Sequence, residues 1–519
     1  MIGDLSMRNW QAPPVPAPRP KAAPAPKVSP RSARGGFAAA HMNRMVSFQQ
    51  TLEAAHQEIQ RDLTMLRAHS RSLAKDNVYA RRYAQLVATH VVGPDGITLE
   101  SEVLGNGKKP KAAWNDAIEL AWEEWGNAVS VDGRTSWIEF QQKLVQTVAV
   151  DGEALVRKVI GYPNKYRFAL ELIDADRLDW TYNLPSDTQG NRTIMGIQMD
   201  SWGRRTGYWI WSAHPMDYQG APRRVLVPAA EILHIFDEER VKGVRGIPWT
   251  TACMVQLNML GRLWNAELTS AIFDASNLGV IKSKDGLLDG AGETIETDPV
   301  GMAKELDFEF ASFLGIDPNL DIEFAPPHHP NSAIGQFSKD LLKGFASGVG
   351  VAYHSISGDV ADANYTASRV ASIDERDNWK KLQVWFIRQV CTPIFKAWLE
   401  MAANSGSLPL PTVDFSKLCA PKWWARSWEW VDPEKEIKSS ILAIRAGLAT
   451  YQSEAGALGL NWRRLMRQRG VEQEFEREVG VHLELDMGKG SSVAPSDPAR
   501  PEEALSAGTT KPEGDPHAK

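Results

Sequence analysis

VPAAEILHIFDEERVKGVRGIPWTTACMVQLNMLGRLWNAELTSAIFDASN, residues 227–277, changes character within a few positions. Ile232, Leu233, His234, Ile235 and Phe236 form a short apolar run bounded by polar residues, which reads as a strand. From Pro248 the apolar positions take up a helical spacing that lasts to Asn277, and Gly279 follows as a stop. A helix over 248–277 is expected, with its proline in the first turn, where no amide hydrogen is needed. A strand feeding a long helix through a charged turn is therefore the pivot of the chain.

Upstream of this pivot the runs ALVRKVI, FALELI, TIMGIQM, GYWIWS and VLVP alternate with turn residues, as in an antiparallel layer. Before them, Phe48, Leu52, Ala55, Ile59, Leu63 and Leu66 recur at spacings of three and four. Further helices are expected from Leu73 to Val91, ending at Gly93-Pro94, and over 112–127 and 136–150. Downstream, an acidic stretch and Pro326-Pro327 precede a helix near 333–349, and residues 353–366 (YHSISGDVADANYT) read as a loop. A helix over about 366–402 follows, kinked or interrupted at Pro393, and a last helical region opens at Asp432-Pro433. The fold class is mixed α+β, mainly helical.

The 519 residues exceed one ordinary domain, and 43% hydrophobic content supports a real core. The net charge of −6 argues against a protein that coats nucleic acid through a broad basic face. Its distribution is uneven. Residues 1–36 carry six Lys/Arg and one Asp, whereas 285–323 carry eleven Asp/Glu against the single Lys304, so the acidity is local. Eight prolines in 13–30 and five in 495–516 mark two tails, 1–40 and 486–519, without hydrophobic periodicity. Cys253, Cys391 and Cys419 include no C-x-x-C pair, which fits a reducing compartment, and no apolar run suggests a membrane span.

Signatures of catalysis are weak throughout. Gly105-Asn-Gly-Lys-Lys109 lacks the first glycine and the hydroxyl residue of a phosphate loop, which disfavours an ATPase motor. His328-His329 are adjacent and project in different directions, a poor geometry for joint metal ligation. His354, Ser355 and Asp359 have the residue types of a hydrolase triad but no G-x-S-x-G elbow. Glu305, Asp307 and Glu309, like Asp321 and Glu323, alternate as on a solvated face, with no basic residues beside them to receive a phosphate backbone. No catalytic residue, cofactor or metal is expected. His234 reads as a core histidine, and the cluster Trp423, Trp424, Trp428 and Trp430 as core or as part of a self-interface.

Taken in order, several segments resemble the lambda-type family of tailed-phage portal proteins. They are Arg71-Ser-Leu-Ala-Lys-Asp76-Asn77-Val-Tyr-Ala80, Asp151-Gly-Glu153-Ala-Leu-Val156, Gly207-Tyr-Trp-Ile and His214-Pro215. The most specific is Val227-Pro-Ala-Ala-Glu-Ile-Leu-His234-Ile-Phe with Arg245-Gly246-Ile247-Pro248. Asn364-Tyr365-Thr366-Ala-Ser368-Arg369 is similar to the family's N-Y-S-S-x-R signature, and Trp430-Val-Asp432-Pro433-Glu-Lys435-Glu436 and Ala446-Gly447-Leu448 complete the series over about residues 45–480.

The resemblance implies a ring of about twelve subunits at one capsid vertex, through which a separate terminase drives duplex DNA and from which DNA later leaves. Its partners would be further copies of the chain, the terminase large subunit, the major capsid protein, head-completion and tail-connector proteins, and duplex DNA passing through without sequence specificity. The place would be the virion, with assembly in the host cytoplasm. Laid on this chain, the family's parts are a wing at 41–247, a first stem helix at 248–278 and an acidic clip at 279–332. A second stem helix at 333–352, a tunnel loop at 353–366, a long helix with wing closure at 367–431 and a helical crown at 432–485 follow. Ser355, Ser357, Asp359, Asp362 and Asn364 would then face the channel, and Asp298, Glu305, Asp307 and Glu309 would dock partners. The competing readings are a virion scaffold that binds capsid subunits and a metal-dependent nuclease.

Overall fold

A computed structural model describes residues 54–104, 111–188, 190–217, 222–276, 280–283, 320–323, 332–359, 365–408, 415–428 and 433–480. Helices α1 (Ala55–Asp76) and α2 (Val78–Val87) open it. The break between them is set by Asn77, whose extended backbone ends α1 while its side chain accepts from the amides of Tyr79 and Ala80 at 3.0 and 3.2 Å. The expected helix from Leu73 therefore divides at Asn77. It passes instead from α2 into a wide π turn, Ala88–Val92, that exits at Gly93.

Strand β1 (Thr98–Ser101), α3 (Ala112–Gly126) and α4 (Trp137–Asp151) come next. Ser136 and Glu139 cap α4 reciprocally. Strands β2 (Glu153–Ile160) and β3 (Phe168–Ile173) pair antiparallel, and β8 (Ile232–Phe236) flanks β2 with Glu153 opposite Phe236 and Leu155 opposite His234. A second sheet, in the order β4 (Arg192–Ile194), β5 (Ile197–Met199), β6 (Arg205–Trp211), β7 (Arg224–Pro228), is a plain antiparallel meander. The runs ALVRKVI, FALELI, GYWIWS and VLVP each give one strand, whereas TIMGIQM folds back on itself: Met195 and Gly196, both at positive φ, turn it into the β4–β5 hairpin.

Helix α5 (Met254–Ser276) follows a short 3-10 turn, so the α-helix proper starts six residues after Pro248. Strands β9 (Val280–Ser283) and β10 (Leu320–Glu323) pair antiparallel. They bracket the acidic stretch, whose residues 284–319 lie outside the described set. Helix α6 (Ser332–Gly348) packs on α5. The expected loop at 353–366 contains a five-residue helix, α7 (Tyr353–Ser357), seated by the buried side chain of Ile356. A period of 3.6 cannot be read from five residues, which is why composition alone suggested a loop.

Helix α8 (Tyr365–Phe386) continues through a π turn, Ile387–Cys391, into α9 (Thr392–Asn404). Pro393 sits in the first turn of α9, where the wide turn before it absorbs the missing amide. Helix α10 (Phe415–Leu418) leads to β11 (Pro421–Trp424), which pairs antiparallel with β1, Thr98 opposite Trp424. Helices α11 (Pro433–Arg445), α12 (Tyr451–Ala457) and α13 (Trp462–Val479) close the chain, and α13 buries no residue.

The larger core joins α2, α3, α4, β2, β3, α8 and α9. At its centre Trp122 meets Trp125, Trp137, Phe395 and Trp398 at ring separations of 4.9–5.5 Å. The smaller core lies under the meander, around Leu155, Met195, Ile197 and Tyr208, and takes Leu63 from α1. The described members of the tryptophan cluster serve the chain's own packing. Trp423 donates to Thr392 Oγ1 at 3.1 Å, Trp424 to Glu100 Oε2 at 2.7 Å and Trp428 to His90 Nδ1 at 3.0 Å.

Candidate functional site

Four of the quoted segments meet at one place. Arg67 and Arg71 project from α1, while Asp151 and Glu153 lie at the junction of α4 and β2. Asp174 and Asp176 follow β3, His234 lies in β8, and Arg245 comes from the turn before α5. Glu153 is at the centre and has no exposed surface. It accepts from Arg245 Nε at 2.8 Å, from Arg67 Nη2 at 2.8 Å, and contacts His234 Nε2 at 2.9 Å. Arg67 also reaches Asp176 at 2.6 Å. Arg71 holds Asp151 through Nε and Nη2 at 2.7 and 2.8 Å and Asp174 at 3.0 Å, and pairs with Asp176 as well.

The backbone brings these groups together by close passage of two strands of chain. Gly152 has φ +86°, and a Cβ there would lie 2.2 Å from the carbonyl carbon of Ile247. A Cβ on Gly246 would lie 2.1 Å from the carbonyl oxygen of Gly152. Only glycine permits this crossing, so D-G-E and R-G-I-P are two halves of one joint.

Burial works against a charged Glu153, yet the Arg245 guanidinium and the His234 contact hold its carboxyl well below the usual range. Burial outweighs the Glu153 contact at His234 and pushes the imidazole down to about 4. His234 is therefore neutral at pH 7, with Nε2–H donating to Glu153 and Nδ1 buried without a partner among the described residues. Unfolded, the imidazole titrates near 6.5, so between pH 6.5 and 4 the unfolded chain binds the extra proton and stability falls as pH falls. Glu153, depressed in the fold, acts in the same direction at lower pH. His234 alone accounts for roughly 3 kcal/mol of acid loss. Melting curves from pH 7 to 4 should show this decline, and His234→Gln, which keeps a donor toward Glu153, should flatten it. An unchanged pH slope in H234Q would remove His234 from the account.

Asp174, Asp176 and His214 bring ligand-type atoms within 4.8 Å of one another. Arg71 already pairs with both carboxylates, so the charge a cation would supply is present in the protein. The cluster is a built joint between α1, the first sheet and the entry to α5, with the chemistry of a clamp.

The sequence-assigned channel residues lie elsewhere. Ser355 Oγ donates to Glu375 Oε2 at 2.7 Å, and Ser357 Oγ donates to the Tyr353 carbonyl at 2.9 Å. Asp359 accepts from Lys339 of α6 at 3.1 Å and from the Tyr353 hydroxyl at 3.4 Å. Asp362 and Asn364 lie outside the described residues, as do Asp298, Glu305, Asp307 and Glu309 of the acidic stretch. The buried clamp was missed as a site, although its signal was present: charged residues embedded in apolar strand contexts, flanked by glycine.

Residues 41–383 match the family model described as "Phage portal protein, lambda family". The chain belongs to that family. It is 29% identical over 395 residues to a probable portal protein of Halomonas phage phiHAP-1, covering 74% of this chain and 75% of that protein. It is 23% identical over 456 residues to portal protein B of Escherichia phage lambda, covering 80% and 84% respectively. Among solved structures it is similar to a chain of the virion of a native gene transfer agent particle, with TM-score 0.39, 15% identity, 77% of this chain and 94% of that one. A chain of the neck of the empty particle gives TM-score 0.40 and 16% identity, covering 76% and 94%. The clamp thus lies within the matched region of a phage portal chain, and every one of its residues falls inside 41–383.

Proposed function

We propose that copies of this chain, about twelve, close into a ring at one capsid vertex and pass duplex DNA inward during terminase-driven packaging and outward at ejection. The observation that carries this reading is the family match over 41–383. The exposed apolar faces of α5 and α8 support it, since Leu268, Ile272, Val370 and Val384 are open to solvent in the single chain and need a partner. The chain acts as a conduit and not as an enzyme, with the terminase large subunit supplying the motor. The capsid protein and the head-completion and tail-connector proteins are its further partners.

In this reading α5 and α6 are the stem, with β9 and β10 the base of the acidic clip, and 353–366 is the tunnel loop. Lys339 compensates Asp359, so the described part of that segment presents little net charge to DNA. A conduit gains from this, because each phosphate neutralised adds affinity that resists sliding. Asp298, Glu305, Asp307 and Glu309 would form the docking face for the terminase and later for head-completion proteins. Reversal of Glu305, Asp307 and Glu309 to lysine is expected to weaken terminase docking at low salt. Negative-stain imaging and sedimentation of the purified protein test the whole reading. A ring with an axial hole is expected. A monomer that cleaves DNA with divalent metal would overturn it in favour of a nuclease, and a monomer that binds capsid protein in favour of a scaffold.

A further inference from the structure

The π turn at the end of α2 holds His90 against two indoles. The imidazole stacks on Trp379 of α8 at 5.2 Å and 19°, and Trp428 lies nearly coplanar at its edge, at 6.1 Å and 21°. Trp428 Nε1 can only donate, and it lies 3.0 Å from His90 Nδ1. The ring proton is therefore on Nε2, and that N–H has no partner among the described residues. Gln383 ties the arrangement together, donating to the carbonyls of His90 and Arg426 at 2.9 Å each.

Three guanidiniums surround this stack, each from a different element. Arg426 Nη1 donates to the Thr89 carbonyl at 2.6 Å and lies 3.3 Å from His90 Nδ1. Arg376 of α8 sits 5.9 Å over the Trp428 ring. Arg82 of α2 donates from Nε to the Ser355 carbonyl at 3.2 Å, at the foot of the segment proposed as the tunnel loop. Arg82, Arg376 and Arg426 all act electrostatically on His90, which burial and their charge keep neutral at pH 7. Arg82 and Arg376 form no ion pair among the described residues. The neighbouring carboxylate, Glu375, is buried and turned to Ser355 and to Trp379 Nε1, at 2.7 and 3.0 Å. Asp377 is exposed and pairs with Lys380 at 3.5 Å.

Arg82 and Arg376 both act on His90 and have no carboxylate partner among the described residues, and the imidazole's Nε2–H donor adds to what an anion would meet. Guanidinium forks match phosphate oxygens, and a fixed aromatic stack keeps the forks in place. We propose that Arg82, Arg376 and Arg426, with His90 Nε2–H, form a phosphate-contact site for the sugar–phosphate backbone of the DNA in transit. The proposal rests on the portal reading and adds to it a specific point of contact. Duplex DNA carries one charge per about 1.7 Å of axis, so a band one site tall offers only a few phosphates to the whole ring; with few contacts made at once, binding stays weak and strongly salt-dependent, which guides a sliding duplex without locking it. The channel segment then supplies near-neutral walls, and the contact comes from its foot.

The test uses the full chain in its assembled state and a labelled duplex of random sequence, titrated at several salt concentrations. Arg82→Gln with Arg376→Gln is expected to weaken binding about tenfold or more near 0.1 M salt. It should also flatten the log–log salt dependence by about 0.9 for each phosphate that is no longer neutralised. Arg204→Gln, a change at an exposed arginine of the β5–β6 turn, should leave both unchanged. Arg82→Lys with Arg376→Lys, which keeps the charge, should retain most of the salt slope and guards against a folding defect. Wild-type affinity and slope in the double glutamine variant, with rings intact, would overturn the site and leave the portal reading standing. Loss of rings with DNA binding unchanged would overturn it in favour of a neighbouring subunit's carboxylates as the occupant. Absence of rings in the wild-type protein would instead remove the portal reading on which the proposal rests.

Discussion

Glu153→Ala is expected to destabilise the folded chain by about 3–5 kcal/mol, because it leaves two buried guanidiniums without their shared counter-charge. Arg67 and Arg245 are each only 2% exposed, and both direct N–H donors at the Glu153 carboxylate. Neither can relax to water without opening the joint at Gly152 and Gly246. Glu153→Gln keeps the shape but removes the charge, and its loss should be nearly as large. The effect should appear as a fall in melting temperature of about 10 °C, at roughly 2–4 °C per kcal/mol for a unit of this size. Arg157→Ala, on the same strand but in a half-exposed pair with Glu231, should cost no more than about 1 kcal/mol. A Glu153→Ala protein that melts within a degree or two of the parent would show that water or rearranged carboxylates already satisfy the arginines.

The joint also has a consequence for α5. Arg245 and Gly246 immediately precede the turn into α5, so the clamp fixes where that helix leaves the two sheets. A loosened clamp should therefore disturb assembly as well as stability, since ring closure depends on the angle between neighbouring subunits. That couples two properties that a purely local salt bridge would leave independent.

Elements with a strong local pattern were legible before any coordinates. β3 and β8 stand where their apolar runs put them, and α3, α4 and α6 differ from expectation by a residue or two. These segments carry their own period, and Ser136 caps the start of α4. The pairing of β1 with β11 was not legible, because two four-residue strands more than 300 positions apart leave no local trace of each other. Asn77 divides a continuous apolar stripe by a backbone choice that its side chain rewards, and periodicity is blind to that. The two π turns add a residue without altering composition. At the clamp, each charged residue was visible as an oddity in its own strand, but their convergence depends on glycine crossings that only the fold reveals. The same holds for the arginines around His90, which come from three separate elements.

Ring formation by this chain is expected to fail completely in the double variant Leu268→Glu, Ile272→Glu. On α5, Trp264, Leu268 and Ile272 follow one another at intervals of four, so they form a single stripe along its second half. They are 47%, 61% and 61% exposed in the single chain, too open for side chains of that size to contribute to its own core. In the proposed ring the stripe is covered by the neighbouring subunit. Burying each aliphatic side chain there contributes about 1–2 kcal/mol, and a buried carboxylate reverses the sign of that term. Because every subunit repeats the contact, a loss of a few kcal/mol recurs at each interface of the closed ring, and the species distribution shifts from ring to monomer. Sedimentation velocity should show that shift, while the melting temperature of the subunit stays within a few degrees, since the substituted positions are already in water. Rings that persist with both glutamates in place would put the contact between subunits on another face of α5, and Val255 and Met259, exposed on its first turns, would be the next pair to change.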